Sequence, residues 1–160
     1  MPRLVTHDEV TVVGISVRTS NTAETDPATA KIAGLWARFY QDDVRGKTPA
    51  KSVPAIPLAV YTDYERDHEG QYQVIVGAAV DPKIPTPEGM ARATIPAGTY
   101  LLFEAEGDMP DVVIDTWKAI WSYFSNSSNH VRAYVTDVEA YPGERAVRIY
   151  ISIRTPAAQS

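Results

Sequence analysis

The segment Thr136-Asp137-Val138-Glu139-Ala140-Tyr141 sets two carboxylates and a tyrosine at alternate positions, and Thr62-Asp63-Tyr64-Glu65 carries the same Thr-Asp-x-Glu string earlier in the chain. On extended backbone, side chains alternate between faces, so Asp137, Glu139 and Tyr141 share one face with Ala133 and Val135. By the same rule Tyr61, Asp63 and Glu65 fall together. A carboxylate beside a tyrosine suits two tasks. It can act as a general base toward an electrophile, or as the counter-charge for a cation held against ring faces, each contact contributing ~0.5–2 kcal/mol. The composition favours the second task. There are nine tyrosines against three phenylalanines, and Tyr61, Tyr64, Tyr72, Tyr100, Tyr134, Tyr141 and Tyr150 lie in strand-like segments. A core without a polar task favours Phe, because each buried hydroxyl needs a partner. The competing readings are a solvated strand end for each acid and an ordinary core position for Trp36, Trp117 and Trp121, which recur at helical spacing.

Other chemistries find little support. With no cysteine in 160 residues, disulfides, thiolate metal sites and cysteine nucleophiles are excluded. His7, His68 and His130 have no ligand-type spacing, so no metal site and no cofactor are expected. The chain has no Gly-x-Ser-x-Gly elbow, dinucleotide fingerprint or phosphate loop. A formal net charge of -5 without a basic stripe argues against direct nucleic-acid binding, which needs clustered Lys and Arg. Met1-Pro2-Arg3-Leu4 opens no signal pattern and no apolar run approaches the roughly 20 residues that span a bilayer. A cytoplasmic protein without a membrane segment is expected, so the acceptor-like Asn126-Ser127-Ser128 carries no weight.

The elements that must position these residues read as follows. Val10 to Val17 is a first strand, Thr19 to Thr25 a loop, and Asp26-Pro27 a helix start. That helix carries Ile32, Leu35, Trp36, Phe39 and Tyr40 on one stripe and ends near Asp42. Asp43 to Pro57, with Gly46, Pro49, Pro54 and Pro57, is a long loop, either a lid or a tolerated insertion. Leu58 to Tyr64 and Gln71 to Val80 form a hairpin across a charged turn with Asp67, His68, Glu69 and Gly70. Residues 81–89 hold three prolines and form a linker. A strand pattern then runs from Ala91 to Glu106 with a bend at Pro96-Ala97-Gly98. A helix from near Pro110 buries Val113, Ile114, Trp117, Ile120, Trp121 and Phe124. After a loop at Ser125 to Asn129, strands Val131 to Tyr141 and Ala146 to Ile153 turn at Pro142-Gly143, and the tail from Thr155 frays.

The plan is β-α-β-β twice. At this length the two halves, about residues 4–80 and 90–154, form one domain over 1–160 rather than two. The expected fold is α+β, a duplicated βαββ unit with an antiparallel sheet, two helices on one face and a ligand cleft between the repeats. The sheet edges would admit a homodimer.

In order and spacing, Val12-Val13-Gly14-Ile15, Ile95-Pro96-Ala97-Gly98-Thr99-Tyr100, Asp115-Thr116-Trp117, Asp137-Val138-Glu139-Ala140-Tyr141 and Ile149-Tyr150-Ile151 resemble the GyrI-like small-molecule-binding domains. These are also the effector-binding domains of AraC-type and MerR-type multidrug-responsive regulators. The resemblance implies a duplicated βαββ fold and a cleft in which the glutamate of the Glu-x-Tyr element pairs with lipophilic cations between aromatic rings. By motif that glutamate is Glu139, with Tyr141 beside it, and Tyr100, Tyr61, Trp117 and Trp121 are the expected walls. No helix-turn-helix segment precedes Val10, so the chain resembles stand-alone members, which would act on transcription only through a separate regulator protein. The leading expectation is a binding module for lipophilic, cationic or aromatic compounds. Two other roles occur among the stand-alone relatives. One is hydrolysis of cyclopropane-type toxins, with Glu139 as base and Tyr100 as donor to the leaving group. The other is gyrase inhibition through protein contact, using an apolar patch or the 43–57 loop.

Overall fold

A computed structural model of the chain describes residues 2–44, 56–66, 69–125 and 130–154. Among them are eight strands and three helices: β1 (Arg3–His7), β2 (Val10–Ser20), α1 (Asn21–Glu24), α2 (Ile32–Gln41), β3 (Leu58–Thr62), β4 (Gln71–Val80), β5 (Ala91–Ile95), β6 (Gly98–Glu106), α3 (Asp111–Ser125), β7 (Thr136–Gly143) and β8 (Ala146–Ser152). All strands join one antiparallel sheet in the order β1-β6-β8-β7-β3-β4-β2-β5. The α+β class read from the sequence is the class observed.

The β-branched runs explain the centre of the sheet. Val12, Val13, Val60, Val74, Val76, Ile149 and Ile151 are fully excluded from water, each contributing roughly 1.5–3 kcal/mol by burial. Alternation sorts them onto two faces. Leu35 and Phe39 of α2 pack on Ile15, Ala59, Val74 and Val76, and Val112 and Ile120 of α3 pack on Leu101, Phe103, Val147, Ile149 and Ile151. Trp117 packs against both groups. Val12, Val60, Ile75, Ile95, Tyr100 and Val138 form a further core to which no helix among the described residues contributes, and the sheet curls on itself to cover it. The curl is tightest where Gly14 and Gly77 face each other across β2 and β4. A Cβ on Gly77 would lie 1.9 Å from the Val13 carbonyl oxygen, and one on Gly14 2.0 Å from that of Val76.

Helix ends are held by side chains from elsewhere. Ser20 caps α1 by accepting the Ala23 N–H at 3.0 Å. Lys31 offers α2 no side-chain cap. The Glu24 carboxylate takes that role, accepting the N–H groups of Lys31 (2.8 Å) and Ile32 (3.2 Å).

Several boundaries differ from the sequence reading. Arg3–His7 is an added edge strand beside β6. Asn21–Glu24 is a helical turn within the expected loop, and α2 begins at Ile32 rather than at Asp26-Pro27, because the Asp26 carboxylate closes a local turn on the Ala28 N–H. The Ala91 to Glu106 run divides into two strands paired with different partners. β7 begins at Thr136, after Tyr134 turns the chain with φ of 53°. The turn to β8 falls at Glu144-Arg145, with Gly143 and Ala146 still paired. Most of the 43–57 loop, the Asp67-His68 turn, residues 126–129 and the tail from Thr155 lie outside the described residues. No helix among the described residues is long and apolar enough to cross a membrane.

Candidate functional site

Strand β7 carries the two acids two residues apart, Asp137 and Glu139. Directly paired residues of an antiparallel ladder share a face. Ala59 of β3 lies opposite Glu139, Tyr61 opposite Asp137, and Ile149 of β8 flanks Glu139 on the other side. Glu139 and Tyr61 line a cavity of about 760 Å³.

Glu139 lies at the base, only 2% exposed. Its Oε2 accepts hydrogen bonds from the Tyr61 hydroxyl (3.0 Å) and the Trp117 indole N–H (2.5 Å), and its Oε1 from the Tyr141 hydroxyl (2.6 Å). All three donors are neutral. Burial pushes the Glu139 carboxyl above its usual range, and the hydrogen bonds from Tyr141, Trp117 and Tyr61 offset part of that rise. Burial, and then the charge of Glu139, drives the Tyr61 and Tyr141 hydroxyls well above theirs, so both remain donors at neutral pH.

Asp137, two residues earlier and fully buried, has a different environment. Its Oδ2 pairs with Arg132 Nη2 at 2.7 Å and accepts the Tyr64 hydroxyl at 2.5 Å. Its Oδ1 accepts the Ser152 backbone N–H (2.8 Å) and hydroxyl (3.2 Å). The guanidinium stacks over Tyr134 at 4.3 Å. Asp137 is thus neutralised within the protein, whereas among the described residues no Lys, Arg or His lies within ion-pair distance of Glu139.

Aromatic rings line the walls in a chain. Tyr134 meets Tyr64, Tyr64 meets Tyr72, Tyr72 meets Tyr61 and Tyr61 meets Trp117, each with centroids 5.7 Å apart, and Trp121 follows at 6.1 Å. Across the cavity Trp36 of α2 stands edge-on to Tyr141 at 5.1 Å. Tyr40, Met109, Ile114 and Trp121 are cavity-lining yet exposed, forming an apolar mouth. Such a site can hold a large flat or globular apolar body and one positive charge at its base.

Of the residues singled out in the sequence, Glu139, Tyr141, Tyr61, Trp117 and Trp121 line this cavity. Tyr100 does not. It belongs to the core on the opposite face, where its hydroxyl donates to the Pro96 carbonyl at 2.6 Å and its ring meets His7. Tyr100 is therefore no wall of the cavity, and no donor to a leaving group there. Asp63 and Glu65 are exposed because β3 stops at Thr62 and Asp63 takes φ of 50°, which brings Tyr64 to the cavity instead. On α3 the fully buried stripe is Val112, Thr116 and Ile120, while Ile114 and Trp121, expected inside, face the mouth. Glu24, Trp36, Tyr64, Tyr72, Arg132 and the exposed Glu144 are also among the lining residues. Trp36, Tyr64 and Tyr72 were visible as aromatics without a place. Glu24 and Arg132 lie in segments whose local pattern carries no sign of a site.

Comparison with known proteins agrees with this architecture. The chain is 36% identical to an integron cassette protein from the mobile metagenome of Vibrio cholerae, with a TM-score of 0.83 over 96% of this chain and 95% of that one. It is 28% identical to YobU of Bacillus subtilis, named as a transcriptional regulator protein, over 94% of this chain and 96% of that protein. The fold is shared with SAV2435, whose structure is bound to tetraphenylphosphonium, at 19% identity and a TM-score of 0.74 over 96% and 94% of the two chains. The family model for Cass2, the integron-associated effector binding protein, matches residues 3–156, and the chain belongs to that effector-binding family.

Proposed function

We propose that this protein binds a lipophilic cation in the aromatic cavity, with Glu139 as the counter-charge. One observation carries the reading. Of two buried acids on one strand face, Asp137 has an arginine and Glu139 has three neutral donors and, among the described residues, no cation. An ionised carboxylate held away from water costs several kcal/mol unless an opposite charge joins it. A cation with an apolar body supplies that charge, and its body replaces water on the Tyr and Trp rings. The tetraphenylphosphonium seen in SAV2435 is a ligand of this class on the same fold.

The cleft belongs, on this reading, to a duplicated unit with both long helices on one face. Reading the sheet inward from either edge gives β5-β2-β4-β3 and β1-β6-β8-β7, strands at matching places in the two halves. The central β3–β7 pair aligns Thr62 with Thr136, the first residues of the repeated strings. The site then lies where the halves meet.

Tryptophan fluorescence offers the test, since Trp36, Trp117 and Trp121 all line the cavity. Titration with tetraphenylphosphonium should quench saturably at one site, and neutral triphenylphosphine oxide should bind at least about tenfold more weakly. Equal affinities, or no saturable binding of the cation, would refute the proposal.

A further inference from the structure

Glu139 is not the cavity's sole carboxylate. Glu24, at the end of α1, also lines it. Its Oε2 accepts the Thr19 hydroxyl (2.6 Å) and the Lys31 N–H (2.8 Å), and its Oε1 the Ile32 N–H (3.2 Å). These donors, too, are neutral. The Lys31 ammonium turns away, to the Arg18 carbonyl at 3.0 Å. None of these contacts brings a cation to Glu24, and only the partial positive end of α2 lies beside it. A carboxylate offers about four lone-pair positions, and three are used here.

The wall between the two acids is aromatic. Tyr61 donates to Glu139 and touches Tyr72, ring to ring at 5.7 Å. The Tyr72 hydroxyl donates at 2.9 Å to Asn21, on the same short helix as Glu24. That hydroxyl is pushed up by burial first and then by the negative charges of Glu24 and Glu139, with Arg132 acting in the opposite direction. Ile32 and Trp36 complete this side of the cavity. Its volume of about 760 Å³ lies in the upper part of the roughly 300–1,000 Å³ range of small-molecule sites.

Building on the cation site proposed above, we infer that the preferred ligand carries two positive centres joined by an apolar spacer, one head at Glu139 and the other at Glu24. The Glu24 head is the weaker contact, because the helix terminus already offsets part of that charge and the residue is only half-buried.

The experiment compares a bis-quinolinium dication, two heads joined by a polymethylene chain, with its single-headed N-alkylquinolinium half. Affinities are measured by calorimetry on the wild type, Glu24→Gln, Glu139→Gln and Thr19→Val. The wild type should prefer the dication by about tenfold. Glu24→Gln should bring that preference within about twofold and weaken the single-headed cation by less than about twofold, while Glu139→Gln weakens both. Thr19→Val removes a hydrogen bond to Glu24 but not its charge, so the preference should survive it. The second site is overturned if the wild type shows no preference, if Glu24→Gln weakens both ligands alike, or if Thr19→Val abolishes the preference as fully as Glu24→Gln. Failure of the underlying reading looks different: the single-headed cation would then ignore Glu139→Gln.

Discussion

Replacing Asp137 by Asn tests the division of labour between the two acids, because the structure assigns Asp137 to the fold and not to a ligand. Asp137 is fully buried and accepts from Arg132, Tyr64 and Ser152 through both oxygens. Asn retains one acceptor oxygen. In either orientation its NH₂ faces a donor, the Arg132 guanidinium on one side or the Ser152 N–H on the other. The larger loss is charge. Arg132 is 7% exposed, its Nε–H already has no partner, and without Asp137 its positive charge would be buried alone. Breaking a buried pair this way costs about 3–5 kcal/mol, a fifth or more of the roughly 5–15 kcal/mol that holds a domain together. At about 2–4 °C per kcal/mol for this chain length, Tm should fall by roughly 10 °C. Urea unfolding followed by fluorescence and circular dichroism measures the loss. Adding Arg132→Met, which removes the stranded charge but keeps an apolar stem, should recover about 2 kcal/mol or more of it. A cost for Asp137→Asn below about 1 kcal/mol, or no recovery in the double variant, would refute the reasoning.

Other expectations follow from the same geometry. Because burial raises the Glu139 carboxyl, its contribution to stability is complete below the ordinary Glu value and is lost as pH rises through the raised one. Glu139→Gln should therefore lack that fall in urea titrations, and superimposable wild-type and variant profiles would contradict the shift. Cation affinity runs the other way, weakening as pH drops and Glu139 takes a proton. Gly77→Ala should cost about 3 kcal/mol because its Cβ meets the Val13 carbonyl. Gly34→Ala, on the exposed side of α2 with nothing within 4 Å of the new Cβ, should instead stabilise by roughly 0.5–1 kcal/mol in the same denaturation assay. Tyr100→Phe should cost about 1 kcal/mol for the lost hydroxyl bond to Pro96 and leave tetraphenylphosphonium affinity unchanged. A clear loss of affinity would put Tyr100 back in the site.

Period-two alternation was enough to place Asp137, Glu139 and Tyr141 on one face, because β7 is regular from Thr136 to Ala140. The same rule failed at Asp63 and Glu65. There a left-handed residue ends β3, a backbone state that Asp adopts more readily than most but that no pattern announces. Helical spacing found the stripe of α2 through Leu35 and Phe39, yet on α3 it could not separate core from cavity wall. Trp117 and Trp121 are apolar on either account, and what decides is the tertiary placement of the cavity that both line. Tyr100 was misplaced because β6 is buried on both faces, with Leu101 and Phe103 packed against α3 and Tyr100 toward the curled side. Arg132 and Glu24 could not be read at all. Their partners, Asp137, Thr19 and the start of α2, come together only through tertiary structure or a non-local cap.

The central claim is that Glu139 supplies charge to a bound cation, and Glu139→Gln tests it most directly. Gln keeps the side-chain shape and an oxygen for the tyrosine and tryptophan donors, but not the charge. At an effective dielectric of about 20, a cationic centre about 5 Å from the carboxylate gains ~3 kcal/mol, of which desolvation returns a part. Tetraphenylphosphonium affinity should fall by about thirtyfold or more, and that of neutral triphenylphosphine oxide by less than about threefold. Equal losses for the two ligands, or none for the cation, would contradict the account.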